Sequence, residues 1–254
     1  MELELAGKYA VVTGGSQGIG YAIARRFAAE GCNVAIVGRN AARLELAAQS
    51  LRDDFSVRVD AVRADLADVI ELQRVFPLLQ TADILVNSAG AVPRGALLDT
   101  DSKALREAFA GKVFATMDLC REALARMRER SGGVIVNIIG ISGERPNPRS
   151  IGTSTANAAL MAFTQAVGAI SVDDHVRVVG VNPGRIATER TKSLSDTSNP
   201  VDSAAYAHLM KGLPFGRMGE PDEVADMVAF LVSPRASYIS GAIFTVDAGA
   251  RFRN

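Results

Sequence analysis

The feature that most constrains this sequence is the turn that ends its first apolar run. Residues Thr13-Gly14-Gly15-Ser16-Gln17-Gly18-Ile19-Gly20 separate the stretch Ala10-Val11-Val12 from an amphipathic segment. Glycines at 14, 18 and 20 let a chain leave a strand sharply and bring bare backbone close to a ligand. The helix that follows aims its unpaired N–H groups at the turn, where a phosphate is stabilised. A glycine trio alone is only a turn. Set between a buried strand and a helix, it predicts a pyrophosphate cradle made of Gly14, Ser16, Gln17, Gly18, Ile19 and Gly20.

The rest of the chain repeats that strand-to-helix unit. Apolar runs read as strands at Lys8–Thr13, Asn33–Val37, Val57–Arg63, Ile84–Asn87, Gly133–Ile138, Val176–Asn182 and Ala242–Asp247. Helical patterns fall between them at Ile19–Glu30, Ala41–Asp53, Val69–Leu79, Lys103–Glu129, Ser154–Ile170 and Pro221–Leu231. Strict alternation predicts a parallel sheet with right-handed crossovers. Continuous apolar strands fit burial on both faces. The expectation is one α/β domain over 1–254, a doubly wound parallel sheet of Rossmann type with helices on both faces. A polar segment at about 188–212 is expected to cover the substrate, with Thr191–Asn199 as a loop.

Composition narrows the function. Lys plus Arg equal Asp plus Glu at 28 each, so no charge excess attracts nucleic acid or anionic lipid. The alternating charges of Arg121–Arg130 read as a solvated or subunit-facing helix surface. Cys32 and Cys120 are isolated among apolar residues and make neither a disulfide framework nor a metal site. The amino-terminal segment has two acids and no apolar core, so it is no signal peptide. No apolar run reaches the ~18 residues that a membrane span needs. A cytoplasmic setting is expected.

The second strand ends in Val37-Gly38-Arg39-Asn40. An NAD site wants an acid here for the ribose 2′-hydroxyl, whereas a guanidinium grips a 2′-phosphate with two hydrogen bonds. Arg39 therefore favours NADP(H) over NAD(H); the plainer reading is an exposed arginine opening a helix.

With these motifs in order, the chain resembles the short-chain dehydrogenase/reductase family from end to end. Its glycine turn resembles that family's Thr-Gly-x3-Gly-x-Gly. Asn87-Ser88-Ala89-Gly90 resembles Asn-Asn-Ala-Gly, and Asn182-Pro183-Gly184 with Thr188 resembles the Pro-Gly segment. Pro214–Pro221 and the ending Ser240-Gly241 to Val246-Asp247 with Gly249 are similar too. The resemblance implies adenine contact at Asp65 and Leu66. It implies adenosine contact at Asn87, Ala89 and Gly90, and a nicotinamide floor at Pro183, Gly184, Ile186 and Thr188. It also implies a dimer or homotetramer packed through the two long helices, where Ala156, Ala158, Ala159, Ala162 and Ala166 suit close contact and Tyr238 lies at a subunit surface.

The family's reaction uses an Asn, a Ser, a Tyr and a Lys. In register with the motifs, these positions are Lys112, Gly140, Thr153 and Asn157. Lys112, Thr153 and Asn157 are the candidate catalytic residues of an atypical active site. Either Lys and Asn have traded helices, leaving a cation beside the nicotinamide ribose, or Lys112 runs its stem along a helix and puts its ammonium in water. Thr153 can hydrogen-bond a carbonyl but is far less acidic than a tuned phenol. Ser142, Ser150, Tyr206 and His208 stand near the expected substrate, each with a simpler reading as a loop or lid residue. His175 beside Asp173 and Asp174 reads as a surface residue. Three functions remain: an NADP(H)-dependent oxidoreductase of a small carbonyl or alcohol, a catalytically inactive NADP(H)-binding protein that senses or regulates, and a protein using bound nucleotide for dehydration or isomerisation.

Overall fold

The computed structural model describes residues 2–130, 132–192 and 212–253. Seven strands form one parallel sheet: β1 Tyr9–Thr13, β2 Asn33–Gly38, β3 Val59–Arg63, β4 Ile84–Asn87, β5 Gly133–Ile138, β6 Val176–Pro183 and β7 Ile243–Val246. Their order across the sheet is β3-β2-β1-β4-β5-β6-β7. The winding direction reverses between β1 and β4, which opens a crevice beyond their carboxyl ends.

Register explains why the strands are apolar throughout. Val11 lies opposite Ala35 and Leu85, and Leu85 opposite Ile135. That row faces one core, with Leu79, Leu119 and Met127. The next row, Ile36-Val12-Val86-Val136, faces the other. There it meets Ile23, Phe27 and Leu231. Both rows are fully buried. Each fully buried Leu or Phe side chain contributes about 1.5–3 kcal/mol.

Helices α1 Gly18–Ala29, α2 Ala41–Asp54 and α9 Pro221–Val232 cover the second core. The other face carries α3 Val69–Leu72 and α4 Phe76–Leu79, joined by a 3-10 turn, with α6 Ala115–Glu129. Helix α7, Ile151–Ile170, begins one turn earlier than its sequence pattern suggests. Its continuation to Asp174 is long and apolar enough in composition to cross a membrane, a length the apolar-run criterion did not credit. Its inward residues Ala156, Leu160, Thr164 and Gly168 are buried in the molecule instead. Ala156, grouped above with the small residues of a subunit face, turns inward.

The helix expected over Lys103–Glu129 is a composite. Helix α5, Ser102–Phe109, runs into one π-helical turn at Ala110–Phe114 and then into α6. A π turn inserts one extra residue and is frequently found at functional sites. Here it carries Lys112. A short helix α8, Glu189–Lys192, follows β6. Most of the expected covering segment, with Tyr206, His208 and the loop beyond Lys192, lies outside the described residues. His175 is exposed in a left-handed turn, and Tyr238 is fully exposed.

Candidate active site

The turns that follow β1, β2, β4, β5 and β6 meet at the carboxyl edge of the sheet. The first is set by steric necessity. A Cβ on Gly20 would lie 2.3 Å from the carbonyl oxygen of Gly14, and one on Gly15 2.7 Å from Ile36. Gly14 and Gly18 have φ of +68° and +56°, in the left-handed region. Gln17, at the amino end of α1, makes no capping bond with its side chain, whereas Asn40 caps α2 by accepting from the Arg43 N–H at 2.9 Å. The first-turn amides of α1 are thus left for an anion.

Thr13 staples this turn to the one after β4. Its Oγ1 accepts from the N–H groups of Ser88 and Ala89, both at 3.1 Å. The sequence reading passed over it, although it is the Thr of the Thr-Gly motif. Thr188 closes the cradle from β6: a Cβ on Gly18 would come 3.3 Å from its methyl. Asn87 serves differently from expectation. Its side chain is buried and donates to Asn137 Oδ1 at 2.9 Å and to Cys120 Sγ at 3.3 Å. Its amide therefore braces β4 against β5 and α6. Ile186 and Leu66 are buried, so their side chains hold the turns from below.

Arg39 is exposed beyond β2. Arg43, one helical turn further on, hydrogen-bonds the Gln17 side chain and so crosses from α2 to the cradle. The clue was a second arginine four residues after Arg39. Asp65 sits in a turn held by Glu71, whose carboxylate accepts the Asp65 N–H at 2.8 Å. That bond, with the Arg63 side chain, keeps the Glu71 pKa below its ordinary value. Burial pushes the thiols of Cys32 and Cys120 up to about 12, so neither is a ready nucleophile.

The other half of the groove is made of side chains on two consecutive carbonyls. Lys112 is buried, and its Nζ donates to the carbonyl of Ile139 at 3.0 Å. Asn157, also buried, donates through Nδ2 to the carbonyl of Gly140 at 3.2 Å and to Ser142 Oγ at 2.8 Å. The ammonium and the amide are thereby brought to one stretch of backbone, and Lys112 turns inward. Gly90 permits it: a Cβ there would lie 2.7 Å from the Lys112 Cβ. Gly140 has φ +123°, and a Cβ on it would lie 2.8 Å from Asn157 Nδ2. A side chain at 140 and an amide folded back from 157 exclude each other.

Asn182 Oδ1 accepts the Gly140 N–H at 3.2 Å, and its Nδ2 donates to Glu144 at 2.8 Å. The turn is pinned from below, from β6 and from α7. Thr153 lies one turn before Asn157 on α7; its Oγ1 approaches the Val92 carbonyl at 3.5 Å. Ser150 precedes α7 without capping it, and Gly95 pairs with it in a parallel bridge.

A dinucleotide fits these residues. The bare first turn of α1 matches a pyrophosphate, and the glycines leave room that a Cβ would fill. Asn157 Oδ1 is buried with no hydrogen-bond partner among the described residues, an acceptor suited to a ligand hydroxyl.

Comparison with known proteins gives the family and the overall fold. A family model described as Enoyl-(Acyl carrier protein) reductase matches residues 14–251. The chain is 32% identical over 249 residues to the 3-oxoacyl-[acyl-carrier-protein] reductase FabG of Chlamydia trachomatis, covering 96% of this chain and 98% of that one. It is 35% identical over 251 residues to a galactitol 2-dehydrogenase (L-tagatose-forming) of Cereibacter sphaeroides, covering 96% and 95%. Among solved structures it is similar to L-sorbose reductase from Gluconobacter frateurii complexed with NADPH and L-sorbose. There the TM-score is 0.92 and the identity 32%, covering 99% of each chain.

Proposed function

The chain belongs to the short-chain dehydrogenase/reductase family of oxidoreductases, and we propose that it is an NADP(H)-dependent reductase of a small carbonyl compound, or the dehydrogenase of the matching alcohol, working through an atypical active site. NAD(P) binding follows from the family. The preference for NADP(H) rests on Arg39, supported by Arg43 one turn away and by the NADPH bound to the sorbose reductase. The nucleotide is held by the cradle of Gly14 to Gly20, by Asp65, by the backbone of Ala89 and Gly90, and by Pro183, Gly184 and Thr188.

When bound, the reduced nicotinamide supplies hydride to a carbonyl carbon. The chain has to orient that carbonyl, hold its oxygen as charge develops and deliver a proton. Lys112 Nζ is the group that can do the last two, because an ammonium both stabilises an oxyanion and carries the proton it needs. The observation that carries this reading is its burial beside Ile139 with the stem over Gly90. Thr153 Oγ1, whose hydrogen bond to the Val92 carbonyl is long at 3.5 Å, offers its hydroxyl to the substrate carbonyl. Asn157 fixes the turn and offers Oδ1 to a ribose hydroxyl. Among the relatives compared are named reductases and dehydrogenases, which favours an enzyme over an inactive nucleotide sensor.

The test is stopped-flow oxidation of bound NADPH by a panel of aldehydes and ketones, with Lys112→Met alongside. Turnover by the parent that falls ~10²–10⁴-fold in the variant, the usual cost of losing a positioned acid, supports the assignment. Turnover that survives removes Lys112 from the chemistry. NADPH binding without turnover of any substrate favours the sensor.

We also propose a dimer or tetramer. Phe114, Ile170 and Val172 are exposed hydrophobics next to the small exposed face Ala158, Ala162 and Ala166 of α7. Sedimentation as a monomer at all concentrations contradicts this.

A further inference from the structure

Lys112 hangs on one pole of a peptide group whose other pole is held from β6. Its Nζ donates to the carbonyl of Ile139 at 3.0 Å. The N–H of that same peptide plane belongs to Gly140, and it donates to Asn182 Oδ1 at 3.2 Å. A trans peptide is planar with its C=O and N–H pointing opposite ways, so fixing one pole aims the other. The backbone at Gly140 does not by itself stop the plane from turning over. Its φ is +123°, and glycine accepts the opposite sign about as readily. What holds the N–H in place is the Asn182 oxygen.

Which end of the Asn182 amide faces Gly140 is decided one residue further out. Asn182 is fully buried. Its Nδ2 donates to Glu144 Oε1 at 2.8 Å, with Met161 Sδ at 3.5 Å. A carboxylate only accepts, so it takes the Nδ2 end and turns the Oδ1 end to Gly140. The flipped amide would set Oδ1 against the carboxylate and Nδ2 against an N–H. Glu144 is itself placed by β7 and the segment after it. Thr245 Oγ1 donates to the same Oε1 at 2.6 Å, and Arg251 Nε lies 3.4 Å from Oε2. Arg145 closes the clasp from the other side, donating to the carbonyls of Ala250, Arg251 and Arg253 at 3.4, 3.2 and 2.7 Å.

We propose that Glu144 is a positioning residue for Lys112. Acting through Asn182, it fixes the plane of the Ile139–Gly140 peptide, so that the Ile139 carbonyl points at Nζ and holds the ammonium in place for a substrate oxygen. Glu144 lies outside the four positions that the family's reaction uses. Its link to the peptide is independent of any activity; only its effect on rate rests on the reductase reading of Lys112.

The experiment uses the full chain. Isotope labels on isoleucine carbonyls and glycine nitrogens restrict the NMR spectrum to Ile-Gly pairs, which here are those of Gly20, Gly140 and Gly152. Gly140→Ala identifies its own signal by deleting it. In Glu144→Ala the Gly140 amide proton is expected to move upfield as its bond to Asn182 weakens. The kcat for the best aldehyde or ketone of the panel above should fall about 10–10²-fold, the cost of a small misplacement, with the NADPH Kd within about twofold. Glu144→Gln keeps an accepting oxygen in the same place and restores the signal and most of the rate. Asn182→Ala gives the same two losses, and adding Glu144→Ala to it costs nothing more, because both act on one bond. Arg145→Ala loosens the clasp without touching Glu144. It lowers the melting temperature and leaves the Gly140 signal and kcat in place. An unmoved Gly140 signal in Glu144→Ala, losses that add in the double variant, or an equal rate loss in Arg145→Ala overturns the proposal. The NMR arm needs no turnover, so it decides the link even if the parent reduces nothing. A moved signal with kcat unchanged upholds the link to the peptide and sinks the role of Lys112 in the chemistry instead.

Discussion

Around β1, β2 and β4 the groove is made of backbone; around β5 and α7 it is made of side chains. In the first half, Gly14, Gly15, Gly18 and Gly20 are there because nothing larger fits, and the α1 amides present themselves to a ligand without help from any residue type. In the second, the shape of one turn depends on what Lys112, Asn157 and Asn182 hydrogen-bond. A backbone-built site tolerates almost no change, so it can be read from motif spacing. A side-chain-built site can be refitted with different residues, provided its partners change in step.

The largest test of that contrast is Lys112→Met, expected to slow hydride transfer by ~10²–10⁴-fold while leaving NADPH fluorescence titrations nearly unchanged. A variant that loses both equally would show that the halves are not separable. Gly20→Ala attacks the other half. Its methyl would lie 2.3 Å from a carbonyl oxygen, so stability falls by about 1–3 kcal/mol on thermal melting. The NADPH Kd should rise about a hundredfold, about 2.7 kcal/mol. An unchanged Kd would mean that the cradle flexes.

Gly140→Ala should cost about 1–3 kcal/mol, through its positive φ and the contact with Asn157. Asn157→Ala should return part of that loss in a double-mutant cycle, because it removes the contact but not the backbone strain. Strict additivity would show the two positions to be independent. Arg39→Gln should weaken NADPH about tenfold, about 1.4 kcal/mol, and leave NADH within a factor of two or so, read by fluorescence.

The smallest effect lies outside both halves, at α9. The Arg217 hydrogen bond and the Glu220 N–H lower the Glu223 pKa from 4.5 to about 2. Its folded value is the lower one, so its stabilisation is full above pH 4.5 and is lost as pH falls toward 2. In melts across that window, Glu223→Gln should flatten the acid-side slope slightly.

The strands were legible because register demands apolar residues on both faces, as the Ile36-Val12-Val86-Val136 row shows. The phosphate turn was legible because its glycines answer to sterics. The π turn was not: the pattern through 103–129 remains helical, and the extra residue shows only in hydrogen-bond pairing around Gly111 and Lys112. The inward course of Lys112 was one of two readings the sequence left open, and the choice between them depends on Gly90 twenty-two positions away. Asn87 was assigned to the groove by its motif, yet its amide faces the core, because a motif fixes a position and not a rotamer.

The tight fit between Gly140 and Asn157 also bears on how such a protein can change over generations. A lineage carrying this pair adds a side chain at 140 only at a cost in stability, since the newcomer meets an amide nitrogen 2.8 Å away and a backbone at φ +123°. The cost is smaller if position 157 gives way first, but then the turn it braces must find another support. The order of substitutions is therefore constrained, and drift alone does not readily undo it. The pair works as a ratchet, holding the descendants of this chain to their own version of the turn.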